Sequence, residues 1–227
     1  MAEKRDETPA RVAKLDRKRF VIGAGALAAG VAAAVVFGLR GDRRDELPLG
    51  RLSTIASDFP VRTAEGAPRV VSTRRWPLKV DGLVGRPLTL TAADLAGLPR
   101  VTMTCDFHCV EGWTVDAVGW GGVRLAELLD RVEPDPAASF VTFHGYDGAY
   151  VDSLTLRQSR DPSVLLADSL DGAPLPHEHG GPVRLVVPAQ LGYKNVKWVT
   201  RIELADHREI GYWEQRGYSV DAPLGGS

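Results

Sequence analysis

The sequence predicts an α+β domain with mixed sheets and short helices. Candidate strands outnumber candidate helices by several to one. The 15 prolines and 24 glycines spread along the 227 residues favour many short elements joined by turns over a helix bundle. The net charge of −1 implies no broad basic surface for nucleic acid.

A basic and then apolar N-terminus precedes this domain. Residues 1–19 carry seven Lys or Arg side chains, whereas residues 20–39 carry no charge and are rich in Ala, Gly and Val. An uncharged stretch of this length is about what a helix needs to cross ~30 Å of hydrocarbon. We therefore expect a basic cytoplasmic n-region (1–19) and a signal or transmembrane helix (20–39), with the folded domain on the extracytoplasmic side of the cell membrane.

Two export routes fit this N-terminus. Arg17-Lys18-Arg19-Phe20 resembles a twin-arginine signal with Lys18 in place of the second arginine, and that route suits a protein that folds around its cofactor before export. A plain signal anchor is the alternative, and the lack of a sharp cleavage site favours retention as an anchor. Residues 40–58 are expected to be a linker, and residues 59–227 to be the folded domain.

The domain is expected to begin with a strand pair and a short helix. Trp76–Val80 alternates like a half-buried strand, and Pro87–Leu90 is its expected partner. Thr91 has the character of a helix N-cap with Asp94 three residues on, and Gly97 marks the end of that helix.

The longest helix is expected between Val123 and Val132. Its apolar residues recur at i, i+3, i+4 and i+7 and so share one face, namely Leu125, Leu128, Leu129 and Val132. Asp171-Gly172 predicts a tight hairpin. Residues 182–188 form a short apolar run with Arg184 inside it. Further strands are expected at Val101–Thr104, Phe140–Phe143, Tyr150–Leu154, Val164–Ala167 and Val199–Leu204.

Both cysteines lie in one segment, Cys105–Trp113, which has the sequence CDFHCVEGW. In an exported protein, two cysteines commonly form a disulfide or bind a metal. A disulfide between Cys105 and Cys109 would close a very small loop, and strand geometry holds the two Cα atoms too far apart for it. A buried and inert thiol is the ordinary alternative for either cysteine.

A metal site could take two forms here. Cys105, His108 and Cys109 are soft enough to bind zinc, but their spacing matches no common zinc pattern and no second Cys or His pair follows at a suitable distance. A c-type haem is excluded because C-x-x-C-H is absent. The remaining form is a soft metal held mainly by a cofactor, with one thiolate from the protein.

Several sequence blocks carry a resemblance that bears on this choice. In order, these blocks are His108–Trp113, Trp120–Leu125, Leu170–Leu204 and Gly211–Tyr218. Through them the chain resembles the molybdopterin-binding domain of the sulfite oxidase family over residues 59–218. The likeness is greatest to the small bacterial branch that contains periplasmic protein-methionine-sulfoxide reductase. It implies a sulfite-oxidase-type fold and the molybdenum–molybdopterin cofactor.

The resemblance also implies roles for individual residues. Cys109 matches the cysteine that ligates molybdenum, while Cys105 is interpreted as an additional, structural thiol. The implied cofactor-binding residues include an arginine that can hold a phosphate or pterin carbonyl in its fork, and a lysine in a phosphate-binding turn with backbone donors before it. The full set is His108, His179, Arg184, Asn195, Val196 and Lys197.

Some of these residues have ordinary alternatives. Arg184 could be a surface charge on a strand and Lys197 a solvated lysine, while His108 could face a partner element. Five other residues are expected to have roles other than binding the cofactor. Three tryptophans are expected in the core and two residues after a strand in the substrate funnel, namely Trp113, Trp120 and Trp198, and His144 and Tyr146.

The sequence departs from the reductase branch in two places. A threonine of that branch has no counterpart near Gly145. Its asparagine and tyrosine-glutamate pair correspond only loosely to Ser57 and Pro60-Val61. These departures concern the substrate and the details of pterin binding.

The sequence therefore predicts a molybdenum-cofactor-dependent oxidoreductase that transfers an oxygen atom to or from a sulfur centre of the sulfite or sulfoxide type. No haem or flavin motif is present, so electrons are expected to pass to or from a separate partner, such as a membrane haem protein or a quinone-linked protein. The alternatives are a non-catalytic pterin-binding or structural subunit of the same fold, and a structural zinc domain.

Overall fold

The computed structural model describes residues 59–64, 76–146, 148 and 150–225. The predicted n-region, apolar helix and linker (1–19, 20–39 and 40–58) lie outside these residues. Within the described ranges, no helix is both long and apolar enough to cross a membrane. Short helices and two sheets make up this part of the chain, as expected for an α+β domain.

The first sheet is mixed and has the strand order β2-β1-β10-β5-β6. The first and last of the described strands, β1 and β10, run parallel to each other, whereas the other neighbours are antiparallel. The sheet therefore joins the two ends of the domain. Its strands are β1 (Leu78–Gly82), β2 (Leu88–Leu90), β5 (Phe140–Gly145), β6 (Val151–Thr155) and β10 (Val199–Ala205).

The second sheet is antiparallel, with the order β3-β4-β7-β8 and a further strand, β9, paired with β7. Gly122 is needed where β4 meets β7, because a Cβ there would lie 2.1 Å from the carbonyl oxygen of Leu166. The strands are β3 (Arg100–His108), β4 (Thr114–Arg124), β7 (Leu165–Leu170), β8 (Ala173–Pro174) and β9 (Arg184–Val186).

The three α-helices found among the described residues are short: α1 (Ala92–Ala96), α2 (Leu125–Val132) and α3 (Leu156–Ser159). The predicted cap of α1 is confirmed, since the Asp94 N–H donates to Thr91 Oγ1 at 3.2 Å and the Thr91 N–H donates to the Asp94 carboxylate at 3.0 Å. All four predicted core residues of α2 are fully buried, and they pack with residues of the first sheet in one hydrophobic core.

Two sequence predictions differ from the structure near the cysteine segment. The helix predicted from Val123 begins at Leu125, because Val123 and Arg124 still pair with β7. The strand predicted at Val101–Thr104 continues to His108. Its partner β4 was not predicted, since three glycines in that stretch lack the side chains that favour strands. The hairpin at Asp171-Gly172 is confirmed, with φ angles of 49° and 79°.

Candidate functional site

A pocket of about 270 Å³ lies where irregular segments from both sheets converge. It is bounded by the arm 59–64, the β3–β4 loop, and the turns that follow β8, β9 and β10. Its lining residues are Phe59, Pro60, Arg62, Thr63, Ala64, Phe107, Cys109, Val110, Glu111, Trp113, Tyr150, His179, Arg184, Gly192, Tyr193, Asn195, Lys197, Trp198, Trp213 and Tyr218.

Cys109 lies in the β3–β4 loop, immediately after β3 ends, and it lines the pocket. The Cys109 N–H donates to the Trp113 carbonyl at 2.9 Å and the Gly112 N–H donates to the Cys109 carbonyl at 3.0 Å, which fixes the loop. Partial burial raises the pKa of the Cys109 thiol, and the charge of Glu111 adds to this, while nearby N–H groups and Arg62 oppose it. A bound cation would reverse this shift and produce the thiolate.

Arg184 is the most informative residue of the pocket because its charge is sealed inside the protein. The residue is 2% exposed, and its guanidinium lies 5.0 Å from the Trp120 ring and 5.6 Å from the Phe107 ring. It donates to three backbone carbonyls, those of His179 at 2.9 Å, Asn195 at 3.3 Å and Leu185 at 3.5 Å. None of the ion pairs within the described ranges involves Arg184. Its alternative role as a surface charge is therefore wrong.

Burial lowers the pKa of Arg184 to about 10, so the guanidinium is still charged at neutral pH. A buried cation without a carboxylate partner is costly unless an anion reaches it. Because Arg184 lines the pocket, that anion can come from a ligand. The pocket therefore fits an anionic group of the kind that a pterin phosphate provides.

Lys197 places a second cation in the same pocket. Its Nζ donates to the carbonyls of Arg62 at 2.9 Å and Glu178 at 2.7 Å. Burial and, as a smaller effect, the nearby charge of Arg184 together lower the pKa of Lys197 to about 7. A bound anion would favour the charged form of this lysine. Gly180, with φ of 106°, lies against the aliphatic bases of both side chains, because a Cβ there would lie 3.0 Å from Lys197 Cβ and 3.1 Å from Arg184 Cβ.

Of the other four predicted cofactor-binding residues, only two line the pocket. His179 and Asn195 line the pocket, whereas Val196 and His108 do not. The N–H groups of Asn195 and Val196 donate within their own turn, to the carbonyls of Gly192 and Lys194. His108 instead places Nδ1 3.0 Å from Thr114 Oγ1 across the β3–β4 hairpin. The backbone donors proposed from the sequence are thus already used by the turn.

Some of the residues predicted to lie in the core or to contact substrate line the pocket, and others do not. Trp120 and Trp198 are core residues at 1% and 4% exposure, as predicted, and Trp198 also lines the pocket together with Trp113. His144 and Tyr146 are not among the lining residues: His144 pairs with Glu203 at 3.0 Å, and Tyr146 stacks near Trp76. Aromatic residues of the C-terminal segment line the pocket instead, and they include Trp213 and Tyr218.

The described residues form neither a disulfide between Cys105 and Cys109 nor a zinc site. Both cysteines are free, and Cys105 packs against the core on β3 without lining the pocket. No group of three or more His, Cys, Asp or Glu side chains comes together as a metal site in the described part of the chain. Cys109 is therefore the only sulfur ligand that the described lining residues offer.

Sequence reasoning missed two clusters at the pocket. The first is an ion pair at its mouth, Arg62 with Glu111 at 2.8 Å, in which Trp113 Nε1 donates to the same carboxylate oxygen at 2.8 Å. Glu111 is two residues from Cys109 in the CDFHCVEGW segment, so its proximity could have been predicted. Arg62 could not, because it reaches the site from the arm before the first strand.

The second missed cluster is a fully buried ion triad behind the aromatic wall. Lys194 Nζ contacts Asp152 and, at 2.5 Å, Glu214. Burial raises the pKa of Asp152 to about 7, although the Lys194 ammonium opposes the shift. The triad links β6, the turn at Gly192–Lys194 and the C-terminal turn at Glu214–Arg216. These segments carry the pocket residues Tyr193 and Trp213 or adjoin them.

The pocket brings together a half-buried thiol and two basic side chains, one of them buried, and this set of groups fits a soft metal carried by an anionic cofactor. The family model described as oxidoreductase molybdopterin binding domain matches residues 64–213. The chain belongs to this family of molybdopterin-binding oxidoreductases, in agreement with the sequence prediction.

Three relatives illustrate this membership. The chain is 33% identical over 167 residues to the uncharacterized oxidoreductase YuiH of Bacillus subtilis (strain 168), covering 73% of this chain and 83% of that protein. It is 34% identical over 157 residues to the protein-methionine-sulfoxide reductase catalytic subunit MsrP of Gluconobacter oxydans (strain 621H), covering 62% of this chain and 50% of that one.

The structure is also similar to the sulfane dehydrogenase SoxCD of Paracoccus pantotrophus. That similarity has a TM-score of 0.59 at 30% identity and covers 63% of this chain and 41% of the other. The chain therefore spans half the length of the reductase subunit and less than half of the dehydrogenase chain.

Proposed function

We propose that the protein transfers an oxygen atom to or from a sulfur centre, using a molybdenum–molybdopterin cofactor bound in this pocket. The observation that carries the proposal is the buried Arg184 guanidinium, which faces the pocket together with Lys197 and the Cys109 thiol. The names of two relatives, a methionine-sulfoxide reductase subunit and a sulfane dehydrogenase, support sulfur as the reacting element.

The protein residues have distinct tasks in this function. Arg184 and Lys197 bind anionic parts of the cofactor, and His179 offers a ring at the pocket wall, where it lies 4.9 Å from the Phe59 ring. Cys109 supplies a soft thiolate ligand. When bound, the cofactor supplies a metal centre that undergoes two-electron redox change. The arm 59–64 covers one side of the pocket and limits the access of water to it.

The balance of the reaction requires a second redox partner. Converting a sulfoxide to a thioether takes up two electrons and two protons and releases water, and oxidising sulfite to sulfate consumes water and reverses that flow. No haem or flavin motif occurs in the sequence, so we propose an electron partner such as a membrane haem protein or a quinone-linked protein. The sulfur substrate is either a small molecule or a side chain of another protein.

We also propose that residues 20–39 attach the protein to the cell membrane, with the pocket on the extracytoplasmic side. The charge pattern of residues 1–39 supports this location. Deleting residues 1–45 removes the long apolar segment, so the product is expected in the soluble fraction of cells that make the cofactor. Recovery of the truncated protein with membranes would show a second means of attachment.

The primary test is the composition and activity of the purified protein. We expect molybdenum and pterin in equal amounts and no stoichiometric zinc. An anaerobic screen with a dye electron carrier should detect reduction of sulfoxides or oxidation of sulfite. A protein that contains zinc and lacks molybdenum would contradict the proposal, and one that binds pterin without turnover would favour the non-catalytic alternative.

Arg184→Ala tests how the pocket holds the cofactor. A charge-assisted hydrogen bond contributes roughly 1.5–3 kcal/mol, so the variant should lose about tenfold or more in cofactor occupancy when cofactor is limiting. Arg160→Ala is the matched control, because Arg160 pairs with Asp130 on the surface at 2.6 Å and should leave occupancy unchanged. Molybdenum and pterin content per chain is the measurement.

The stability of the cofactor-free protein distinguishes binding from structure. If the partner of Arg184 is the cofactor, Arg184→Ala should destabilise the loaded protein more than the empty one. Equal destabilisation of both forms would assign Arg184 to a structural role and contradict the proposed contact.

A further inference from the structure

The ion pair at the pocket mouth holds its carboxylate in a defined position. Glu111 Oε2 accepts from Arg62 Nε at 2.8 Å and from Trp113 Nε1 at 2.8 Å. The Arg62 guanidinium also lies 6.0 Å from the centre of the Trp113 ring. Both charged side chains are about half exposed, at 59% and 48%, and both line the pocket together with Cys109. They therefore stand where a substrate enters.

The charges of the pocket are divided between its depth and its mouth. Among the described lining residues, Glu111 is the only carboxylate, against the cations Arg62, Arg184 and Lys197. Arg184 and Lys197 are assigned to the anionic cofactor in the proposed function. Arg62 is the cation left for a substrate, and Glu111 already occupies it. The mouth thus offers an incoming molecule no net positive charge.

We propose that Glu111 is a specificity-determining residue, which occupies Arg62 and so makes the pocket select an uncharged sulfur–oxygen group over a sulfur oxyanion. This inference rests on the proposed function and narrows its substrate class to sulfoxides. An oxyanion such as sulfite must displace the carboxylate from Arg62 and then remain beside its negative charge. A sulfoxide has no net charge and meets neither obstacle.

The aromatic side chains around the mouth suit the same class of substrate. Trp113 lies beside the ion pair, and Trp213 and Tyr218 form an edge-to-face pair with ring centres 5.4 Å apart on the pocket lining. Aromatic rings make favourable contacts with the sulfur and methyl groups of a thioether. Aromatic side chains cannot replace the hydrogen bonds that water makes to an oxyanion, so they favour its binding little.

The test is sulfate binding by the full-length protein as purified with its cofactor. Inorganic sulfate is the probe, since it is an oxyanion that does not react, and calorimetric titrations are run at constant ionic strength. Glu111→Gln should bind sulfate about tenfold more tightly than the native protein, because a like charge is removed and Arg62 becomes available. The same gain in sulfate affinity is expected for Glu111→Ala, so if one variant folds poorly the other still tests the proposal.

A double-mutant comparison tests whether the tighter sulfate binding of Glu111→Gln depends on Arg62. Adding Arg62→Gln to Glu111→Gln should cancel the tighter sulfate binding, whereas Arg62→Gln alone should not raise it. Glu127→Gln is the matched control: it removes the same charge from the exposed face of α2, outside the pocket lining, and should leave sulfate affinity unchanged. In assays with dimethyl sulfoxide, sulfate should inhibit Glu111→Gln at about tenfold lower concentration than native protein.

Two results would overturn this inference. One is equal sulfate affinity in the native protein and both Glu111 variants, and the other is a gain that persists without Arg62. Molybdenum content is measured on every preparation. A protein without molybdenum would reject the proposed function itself, whereas a loaded protein with unchanged sulfate affinity would reject only the role of Glu111.

Discussion

Cys109→Ser is expected to abolish oxygen-atom transfer while part of the pterin remains bound. Serine replaces the soft thiolate ligand of the proposed site with a hard hydroxyl oxygen that is scarcely ionised at neutral pH, so the metal loses the sulfur donor on which its reactivity at this site depends. Loss of an outer partner of a metal site already costs about 10–100-fold in activity, so loss of the ligand should cost about 100-fold or more. Turnover with a dye electron carrier and molybdenum content per chain are the measurements.

Cys105→Ala provides the control for this result. Cys105 packs against the core on β3 and does not line the pocket, so its removal should keep molybdenum and most activity. The expected stability loss is about 1 kcal/mol. Near-normal turnover of Cys109→Ser would end the assignment of Cys109, and loss of metal from Cys105→Ala would indicate a site that uses both thiols.

Lys194→Met is expected to produce a large loss of stability. The lysine side chain is fully buried between Asp152 and Glu214, whose exposures are 2% and 1%. Methionine fills similar space but leaves two carboxylates in the interior without their cation. Breaking a buried ion pair by removing one partner costs about 3–5 kcal/mol. Urea unfolding at neutral pH measures this change in the free energy of unfolding.

Lys79→Met is the matched control, because Lys79 pairs with Asp81 at 2.5 Å but is 57% exposed. Its replacement should cost under about 1 kcal/mol.

The loss in Lys194→Met should also depend on pH in a defined direction. Burial already raises the pKa of Asp152 to about 7, and removing the ammonium that opposes this shift raises the pKa further. The folded variant then binds more protons than the unfolded chain between the unfolded and folded pKa values of the carboxyl. Its stability should therefore rise as the pH falls from about 8 to about 5. A variant equally unstable across this range would contradict the buried-charge explanation.

The sequence was most informative where the relevant signals were local. The apolar spacing of α2, the cap at Thr91 and the turn at Asp171-Gly172 all depend on residues within one or two turns of each other, and each was predicted correctly. Cys109, Arg184 and Lys197 were found because they lie in blocks similar to a known family. The structure then brings all three to one pocket.

The parts that could not be predicted depend on contacts between distant segments. Arg62 and Glu111 are 49 residues apart, and Lys194 and Asp152 are 42 apart. Lys194 follows a tyrosine in a polar turn, where a lysine is ordinarily solvated. Strand β4 was missed because its glycines are required by close packing against groups of β7 and the turn after it, and not by strand propensity; Gly122, for example, lies against the Leu166 backbone.

The sealed charge of Arg184 also bears on the fate of newly made chains. An empty pocket leaves this cation uncompensated, so a chain that has not yet received its cofactor unfolds more readily than a filled one. Proteases that cleave opened molecules act in proportion to how often they open. Unfilled copies are therefore expected to be degraded first, and the surviving population becomes enriched in working molecules without a separate inspection factor.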